Sequence, residues 1–269
     1  MPILSAAARL LGPVSDTPRL DAELLLAHTL GISREALLLD PTRPVPAEFD
    51  QILERRLAHE PVAYITGSRA FWTLDLHVSP AVLIPRPDSE TLIEAAIDHF
   101  SSRPPDRILD LGTGSGALLL AALDHWPGAW GVGTDRSAAA IAVAAGNARR
   151  LGIAGRAHFV QADWAAAIGG RFDLILCNPP YVETGAELPP QVAAHEPASA
   201  LYAGTDGLDD YRRIIPTLSA LLSPGGCACL EIGSTQANAV QSLAEMENLR
   251  CVVRQDLAGY DRCVVLTAG

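Results

Sequence analysis

Four short stretches of this 269-residue chain gather residue types that can do chemistry. Asn178-Pro179-Pro180-Tyr181 pairs an amide side chain with two prolines and an aromatic ring. Proline fixes its own backbone and disfavours helix in the residue before it, so the run is extended and stiff. The Asn178 amide and the Pro179 carbonyl together can grip an N–H₂ group, while the Tyr181 ring packs over the planar group that bears it. The second stretch, Asp110-Leu111-Gly112-Thr113-Gly114-Ser115-Gly116-Ala117, is a glycine-rich turn into a helix. Glycines let the chain bend sharply and a ligand approach its backbone, and the helix behind presents free amides. Taken alone, the turn fits a nicotinamide dinucleotide, through Gly112-x-Gly114-x-x-Ala117, as well as S-adenosylmethionine. Asp135 stands at a distance from the turn that suits a carboxylate accepting from both hydroxyls of a ribose, which serves either ligand; it is also placed to cap a helix beginning near Ser137. Asp163-Trp164 offers an acceptor for an exocyclic adenine amine and a flat surface beside the ring, or else a helix cap next to a buried tryptophan. The run at 178–181 breaks the tie between the two ligands, because hydride transfer has no use for a grip on an amino group.

These stretches need elements that end at a common edge. From residue 107 onward, apolar strand patterns at 108–111, 130–134, 157–161, 172–177 and 227–232 alternate with helical patterns, which predicts a parallel sheet with right-handed crossovers. The strand at 172–177 is apolar on both faces over its second half, as in a central strand covered on both sides. The glycine turn follows the first of these strands, and Asn178 follows the fourth, at the carboxyl end where open α/β sheets bind ligands. Segments 250–255 and 262–266, separated by a turn at Gly259, predict a closing antiparallel hairpin. Ahead of the sheet, residues 64–67 and 71–78 alternate at strand spacing and predict a short hairpin. Leu92, Ile93, Ala96, Ile97 and Phe100 share one helical face behind the segment 84–90. The first 60 residues are helical, with Leu20, Leu24, Ala27 and Leu30 at helix period after a Thr17 cap and Pro18, and further helices at 34–39 and 47–59. The expected organisation is a helical unit over 1–60, a β-hairpin connector over 61–83 and a ligand-binding α/β domain over 84–269.

Composition narrows the partners. Arginine alone supplies the 20 basic residues, and 31 acidic ones leave a net charge of −11. Binding a phosphate backbone requires clustered positive charge, so a general nucleic-acid coat is not expected, while the composition leaves room for a small local basic patch. The 22 glycines and 20 prolines, roughly one residue in six, fall short of a low-complexity chain. The longest uncharged run, 214–230, is broken by Pro216, Pro224, Gly225 and Gly226, and residues 3–11 carry Arg9 with no basic residue ahead of them. Neither a membrane span nor a signal peptide is expected, and the expected compartment is the cytoplasm. Cys177, Cys227, Cys229, Cys251 and Cys263 include no C-x-x-C pair and sit in apolar runs, so they read as reduced core residues. The scattered histidines show no metal-ligand spacing, and no metal is expected. Glu231 and Glu90 read as structural, salt-bridged carboxylates.

The motifs together carry a resemblance. Ile84-Pro85-Arg86-Pro87-Asp88-Ser89-Glu90, the glycine turn, the run at 178–181, Glu196-Pro197 with Ala200-Leu201, Gly204-Thr205-Asp206-Gly207-Leu208 with Tyr211, and Leu230-Glu231-Ile232-Gly233 resemble the bacterial peptide chain release factor glutamine methyltransferase family, the PrmC or HemK family. Asp21-Ala22-Glu23-Leu24-Leu25-Leu26 and Glu60-Pro61-Val62-Ala63-Tyr64-Ile65-Thr66-Gly67 extend the likeness over essentially the whole chain. Asn-Pro-Pro-Tyr alone is shared with enzymes that methylate exocyclic amines of adenine or guanine in DNA or RNA, which is the alternative reading. The resemblance implies a class I S-adenosylmethionine-dependent methyltransferase fold, Rossmann-like, with a mostly parallel seven-stranded sheet and a small N-terminal helical domain. It implies methylation of the side-chain amide nitrogen of the Gly-Gly-Gln glutamine in class-1 release factors, with S-adenosylhomocysteine as product. Carried over, Gly112, Thr113, Gly114, Ser115 and Gly116 line the methionine and ribose of the cofactor, Asp135 takes the ribose hydroxyls, and Asp163 and Trp164 take the adenine. Asn178, Pro179, Pro180 and Tyr181 hold the substrate glutamine. Asn178 also borders the cofactor, and Asn178 and Pro179 are the catalytic pair. Arg86, Pro87 and Glu90 match the family segment near the active site without an assigned contact. The expected mechanism is in-line displacement in which the Asn178 oxygen and the Pro179 carbonyl accept the two amide protons as nitrogen pyramidalises, with no strong base. A non-catalytic binding module of the same fold is the remaining rival class, and it predicts no cofactor binding.

Overall fold

A computed structural model describes residues 2–40 and 43–269. The chain divides into two compact units, Met1–Ser68 with Leu188–Glu196, and Arg69–Glu187 with Pro197–Gly269.

The first unit contains helices α1 (Pro2–Leu11), α2 (Pro18–Leu30), α3 (Arg34–Leu39), α4 (Glu48–Leu57) and α5 (Val62–Thr66). Leu4, Leu11, Leu25, Leu26, Phe49 and Leu53 meet in its core. Thr17 holds the cap position of α2, but its side chain caps no backbone amide; the hydroxyl donates instead to Asp21 Oδ1 at 3.2 Å. α2 ends as the pattern requires, on Gly31 in the left-handed region (φ 65°). Under this core lies a buried ion pair, Arg56 Nε to Asp21 Oδ2 at 2.9 Å. Residues 64–66 are helical with Gly67 as their cap, not the strand that alternation predicts over 64–67. Pro61 precedes the turn, its carbonyl accepts the Tyr64 amide at 2.9 Å, and Gly67 (φ 72°) closes it. Four residues of alternation fit one helical turn as well as a strand, and burial of Tyr64 and Ile65 decides in favour of the helix. A later segment with α9 (Pro190–His195) belongs to the same unit, where Gln191 Oε1 accepts from Arg56 Nη2 at 3.2 Å.

The hairpin is β1 (Ser68–Phe71) with β2 (Leu74–His77), turned at Trp72. Helix α6 (Glu90–His99) leads into β3 (Arg107–Leu111), α7 (Ala117–His125), β4 (Trp130–Asp135), α8 (Ala138–Arg150), β5 (Ala157–Gln161) and β6 (Phe172–Cys177). Then follow α10 (Asp209–Leu221), β7 (Leu222–Glu231), α11 (Ala237–Met246), β8 (Leu249–Gln255) and β9 (Asp261–Ala268). The seven-stranded sheet has the order β5-β4-β3-β6-β7-β9-β8, with β9 antiparallel to β7 and β8 and the rest parallel. The expected α/β class and closing hairpin are therefore present. Leu92, Leu119, Leu120 and Leu176 pack in one core layer, while Leu109, Ile175, Tyr211, Ile214 and Leu230 pack in the other. Parallel strands apolar on both faces need both layers. The order reverses between β3 and β6, so the carboxyl ends of these two strands flank a crevice, as at other topological switch points.

Candidate active site

The crevice holds a cavity of about 350 Å³. Gly112, Thr113, Gly114, Ser115, Asp135, Asp163, Trp164, Asn178 and Pro180 all line it, with Asp110, Ser89 and Asp210. Residues more than sixty positions apart thus share one space. Gly116, Pro179 and Tyr181 are outside the lining: Gly116 (φ 85°) supports the start of α7, and Pro179 is buried beside Asn178.

The glycine turn is shaped by its neighbours. Thr113 N donates to the Thr134 carbonyl at 2.8 Å and Thr113 Oγ1 to Asp110 Oδ2 at 2.6 Å. Gly133 on β4 leaves the space this requires, since a Cβ there stands 2.7 Å from Thr113 Oγ1. Gly112 has φ 73°, and a Cβ on it lies 2.9 Å from Trp164 Cζ3, so the indole packs directly on the turn. Behind the turn, the buried Asn147 donates to the carbonyls of Ser115 and His77, each at 2.9 Å, and accepts from the His77 amide at 2.8 Å.

Asp135 Oδ2 accepts from Gly114 N at 3.0 Å and Oδ1 from Ser137 N at 2.8 Å. Ser137, not Asp135, caps α8, its side chain accepting from the Ala140 amide. Asp163 is engaged in an ion pair with Arg213, and Trp164 Nε1 donates to Asp210 Oδ1 at 3.2 Å. Asp210 is thus a wall residue that no motif announces; its carboxyl is raised above the ordinary range by burial.

Asp110 is a buried carboxyl at the foot of the glycine turn. Burial pushes this carboxyl from 3.8 to about 7, against the lowering effect of the Thr113 hydroxyl bond. Its second oxygen, Oδ1, has no hydrogen-bond partner. A buried carboxylate oxygen without a donor is costly in the protein alone and favourable to a cationic ligand.

Asn178 Nδ2 donates to Ser89 Oγ at 3.1 Å. Cys177, just before it, is fully buried and its thiol is pushed up by burial, so it stays protonated and is no nucleophile. The Tyr181 hydroxyl faces Glu231 Oε1 at 3.3 Å and is also raised, first by burial and then by that carboxylate. Neither glutamate read as salt-bridged takes an ion pair as its direct contact: Glu90 accepts from the Trp72 amide at 2.8 Å, and Glu231 accepts hydroxyl donors. Among the described residues no cluster of His, Cys, Asp and Glu could hold a metal, and no helix is long and apolar enough to cross a membrane.

Known proteins are similar to this chain in sequence. Residues 3–67 match the family model of the PrmC N-terminal domain, and residues 89–195 match the methyltransferase small domain. A release factor glutamine methyltransferase of Rhodospirillum rubrum is 46% identical over 258 residues, covering 93% of this chain and 79% of its own. Those of Bradyrhizobium diazoefficiens and Cereibacter sphaeroides are each 44% identical, covering 96% and 97% of this chain and 91% and 95% of their own. The chain belongs to the release factor glutamine methyltransferase family.

Solved structures place the family's fold among methyltransferases. A 16S rRNA methyltransferase of Thermus thermophilus, solved with AdoMet and guanosine, has a TM-score of 0.54 at 22% identity, over 75% of this chain and 50% of that one. A ribosomal protein L11 methylase of Lactobacillus delbrueckii has a TM-score of 0.51 at 21% identity, over 68% and 80%. At such identities the likeness is one of fold alone. What the motifs of this family member did not disclose are Asp210, Ser89 as a partner of Asn178, and the loop at 80–85 that lines the cavity. Ser89 lies in the segment 84–90, so the resemblance flagged its neighbourhood without its role.

Proposed function

We propose that this protein transfers a methyl group from S-adenosylmethionine to the side-chain amide nitrogen of the glutamine in the Gly-Gly-Gln loop of class-1 release factors, in the cytoplasm. The observation that carries the reading is the meeting of Asn178 with the glycine turn, Asp135 and Trp164 in one cavity, in a chain of this family. The cofactor fits the residues present. Its net positive charge suits the unpartnered Asp110 oxygen, and at Gly114 a Cβ would meet only the Gly112 carbonyl oxygen, at 4.0 Å. Gly112, Thr113, Gly114 and Ser115 hold its methionine and ribose portion, Gly116 shapes the turn behind them, Asp135 takes the ribose hydroxyls, and Asp163 and Trp164 its adenine. When bound, it supplies an electrophilic methyl carbon on a sulfonium.

The remaining chemistry belongs to the chain. An amide nitrogen is a weak nucleophile because its lone pair is delocalised. Asn178 Oδ1 and the Pro179 carbonyl accept its two protons, which holds it in line and stabilises the positive charge that develops as it pyramidalises. The proton becomes acidic only after the N–C bond has formed and the C–S bond has broken, and it then leaves to solvent without a dedicated base. Pro180 keeps the loop extended, and Tyr181 braces it from outside the cavity.

The test is incubation of the protein with methyl-labelled S-adenosylmethionine and an unmodified release factor, followed by peptide mass spectrometry. One added methyl on the Gly-Gly-Gln glutamine is the expected result. An unlabelled release factor together with labelled amines in DNA or RNA overturns the reading in favour of nucleic-acid methylation.

A further inference from the structure

Asn178 stands at one end of a chain of hydrogen bonds whose other members lie outside the grip itself. Its Nδ2 donates to Ser89 Oγ at 3.1 Å, Ser89 Oγ donates to Glu231 Oε2 at 2.5 Å, and the Tyr181 hydroxyl donates to the other carboxylate oxygen at 3.3 Å. Ser89 and Glu231 are 4% and 1% exposed, so these bonds are largely withdrawn from bulk solvent. An ionised carboxylate is an acceptor only. With its proton committed to Glu231, Ser89 Oγ offers Asn178 lone pairs alone. The Asn178 nitrogen must therefore face Ser89, and its oxygen faces away.

We propose that Glu231, acting through Ser89, is a positioning residue that fixes which way the Asn178 amide points and so presents an acceptor, not a donor, to the amino group of the substrate. The inference rests on the reading of Asn178 as the acceptor for that group. A reversed Asn178 amide sets its own NH₂ against the substrate NH₂, donor facing donor. Protonation of Glu231 permits the reversal. A protonated Glu231 donates to Ser89 Oγ, whose own proton then turns to the Asn178 oxygen.

The surroundings make Glu231 the group that decides. Burial lifts its carboxyl to about 7, with the Ser89 bond, Arg262 and the Tyr181 bond pulling it down and Asp88 pushing it up. Arg262 on β9 faces it while paired with Asp88 and Asp256, each at 3.3 Å. Tyr181, Tyr211 on α10, Cys177 on β6 and Cys263 on β9 also face the group, and burial raises all four, so they stay protonated through neutral pH. Arg86 and Arg262 oppose the rise at Tyr181 electrostatically. With S-adenosylmethionine saturating, so that Asp110 does not enter through cofactor binding, kcat is therefore expected to rise with pH through about 7 as Glu231 ionises.

Glu231→Gln, Ser89→Ala and Ser89→Thr test the relay. Turnover on an unmodified release factor and S-adenosylmethionine affinity by calorimetry are measured from pH 5.5 to 8.5, and the Asn178 side-chain amide is followed by nitrogen-15 resonance without substrate. Loss of kcat by about tenfold or more is expected in Glu231→Gln and Ser89→Ala, with cofactor affinity unchanged and the rise near pH 7 abolished. Ser89→Thr keeps the hydroxyl and restores both. In the wild type the Asn178 amide resonance titrates near pH 7, and in Glu231→Gln it does not. Wild-type turnover in Ser89→Ala, or an unchanged pH profile and titration in Glu231→Gln, overturns the proposal. If Glu231→Gln does not fold, the Ser89 pair decides. A wild-type protein that leaves the release factor unmethylated overturns the functional reading instead, and the resonance titration still decides the relay.

Discussion

Asp110→Asn separates what the site requires from what the fold prefers. Burial lifts Asp110 from 3.8 to about 7, so between those values the folded chain holds a proton that the unfolded chain has lost. Stability from this group is thus fully present below about pH 4 and is lost as pH rises through about 7. At ~1.4 kcal/mol per pH unit, the ionised side chain costs the fold about 4 kcal/mol, of which about 2–3 kcal/mol falls between pH 5 and pH 8. Asparagine has no such titration and can still accept from Thr113. Urea unfolding at the two pH values, followed by tryptophan fluorescence, reads the difference. Trp72, Trp126, Trp130 and Trp164 all lie in the unit containing the sheet, so the signal reports that unit alone. The wild type is expected to lose about 2–3 kcal/mol more than the variant on going from pH 5 to pH 8. Glu231, raised in the same direction, leaves a residual slope in both. The compensation is ligand binding: S-adenosylmethionine should bind the variant about ten- to a hundredfold more weakly at pH 8, the range of a lost charge-assisted contact. Equal pH dependence in the two proteins refutes the burial argument. Equal affinity refutes the pairing of Asp110 with the cofactor.

Three further substitutions probe separate supports. Asn178→Ala should lower kcat about a hundredfold, ~3 kcal/mol, as removal of one oriented transition-state partner does, while cofactor affinity by calorimetry is retained; an equal loss of both contradicts the role given to its oxygen. Gly112→Ala puts a Cβ at φ 73° and 2.9 Å from the Trp164 ring, which should cost about 1–2 kcal/mol in backbone strain and displace the indole, seen as weaker cofactor binding and a shifted tryptophan emission. Asn147→Leu removes the hydrogen bond to the buried Ser115 carbonyl and the two bonds that tie α8 to His77, so urea unfolding should show a loss of about 1–3 kcal/mol, the cost of one buried group losing its donor.

Local rules recovered the parts of this molecule that local sequence determines. Five apolar runs separated by helical periods become β3 to β7, and the turn at Gly112 and the run at 178–181 fall at strand ends because the strands stop where the apolar pattern stops. The same rules failed where a few residues fit two periods. At 64–67, the Pro61 carbonyl and the Gly67 cap turn an alternating stretch into helix α5. Thr17 shows a different failure, for its hydroxyl finds Asp21 before it finds an amide. Asp110 was visible as the first residue of the glycine motif, but its burial was not, because burial is a property of both sheet faces being covered.

The pairing of Ser89 with Glu231 spans 142 positions, and no spacing rule reaches that far. The sheet register supplies one side of it, by bringing Glu231 to the crevice beside Asn178. β6 and β7 are parallel neighbours with Cys177 beside Leu230, so the next residues along, Asn178 and Glu231, emerge side by side at the carboxyl edge. Successive residues of a strand point to opposite faces, so a slip of one position turns Glu231 away from the crevice. The identity of Glu231 as a carboxylate at a strand end was legible in the sequence. Its orientation toward Ser89 and Tyr181 required the strand order, and the direction of the Asn178 amide required that orientation in turn.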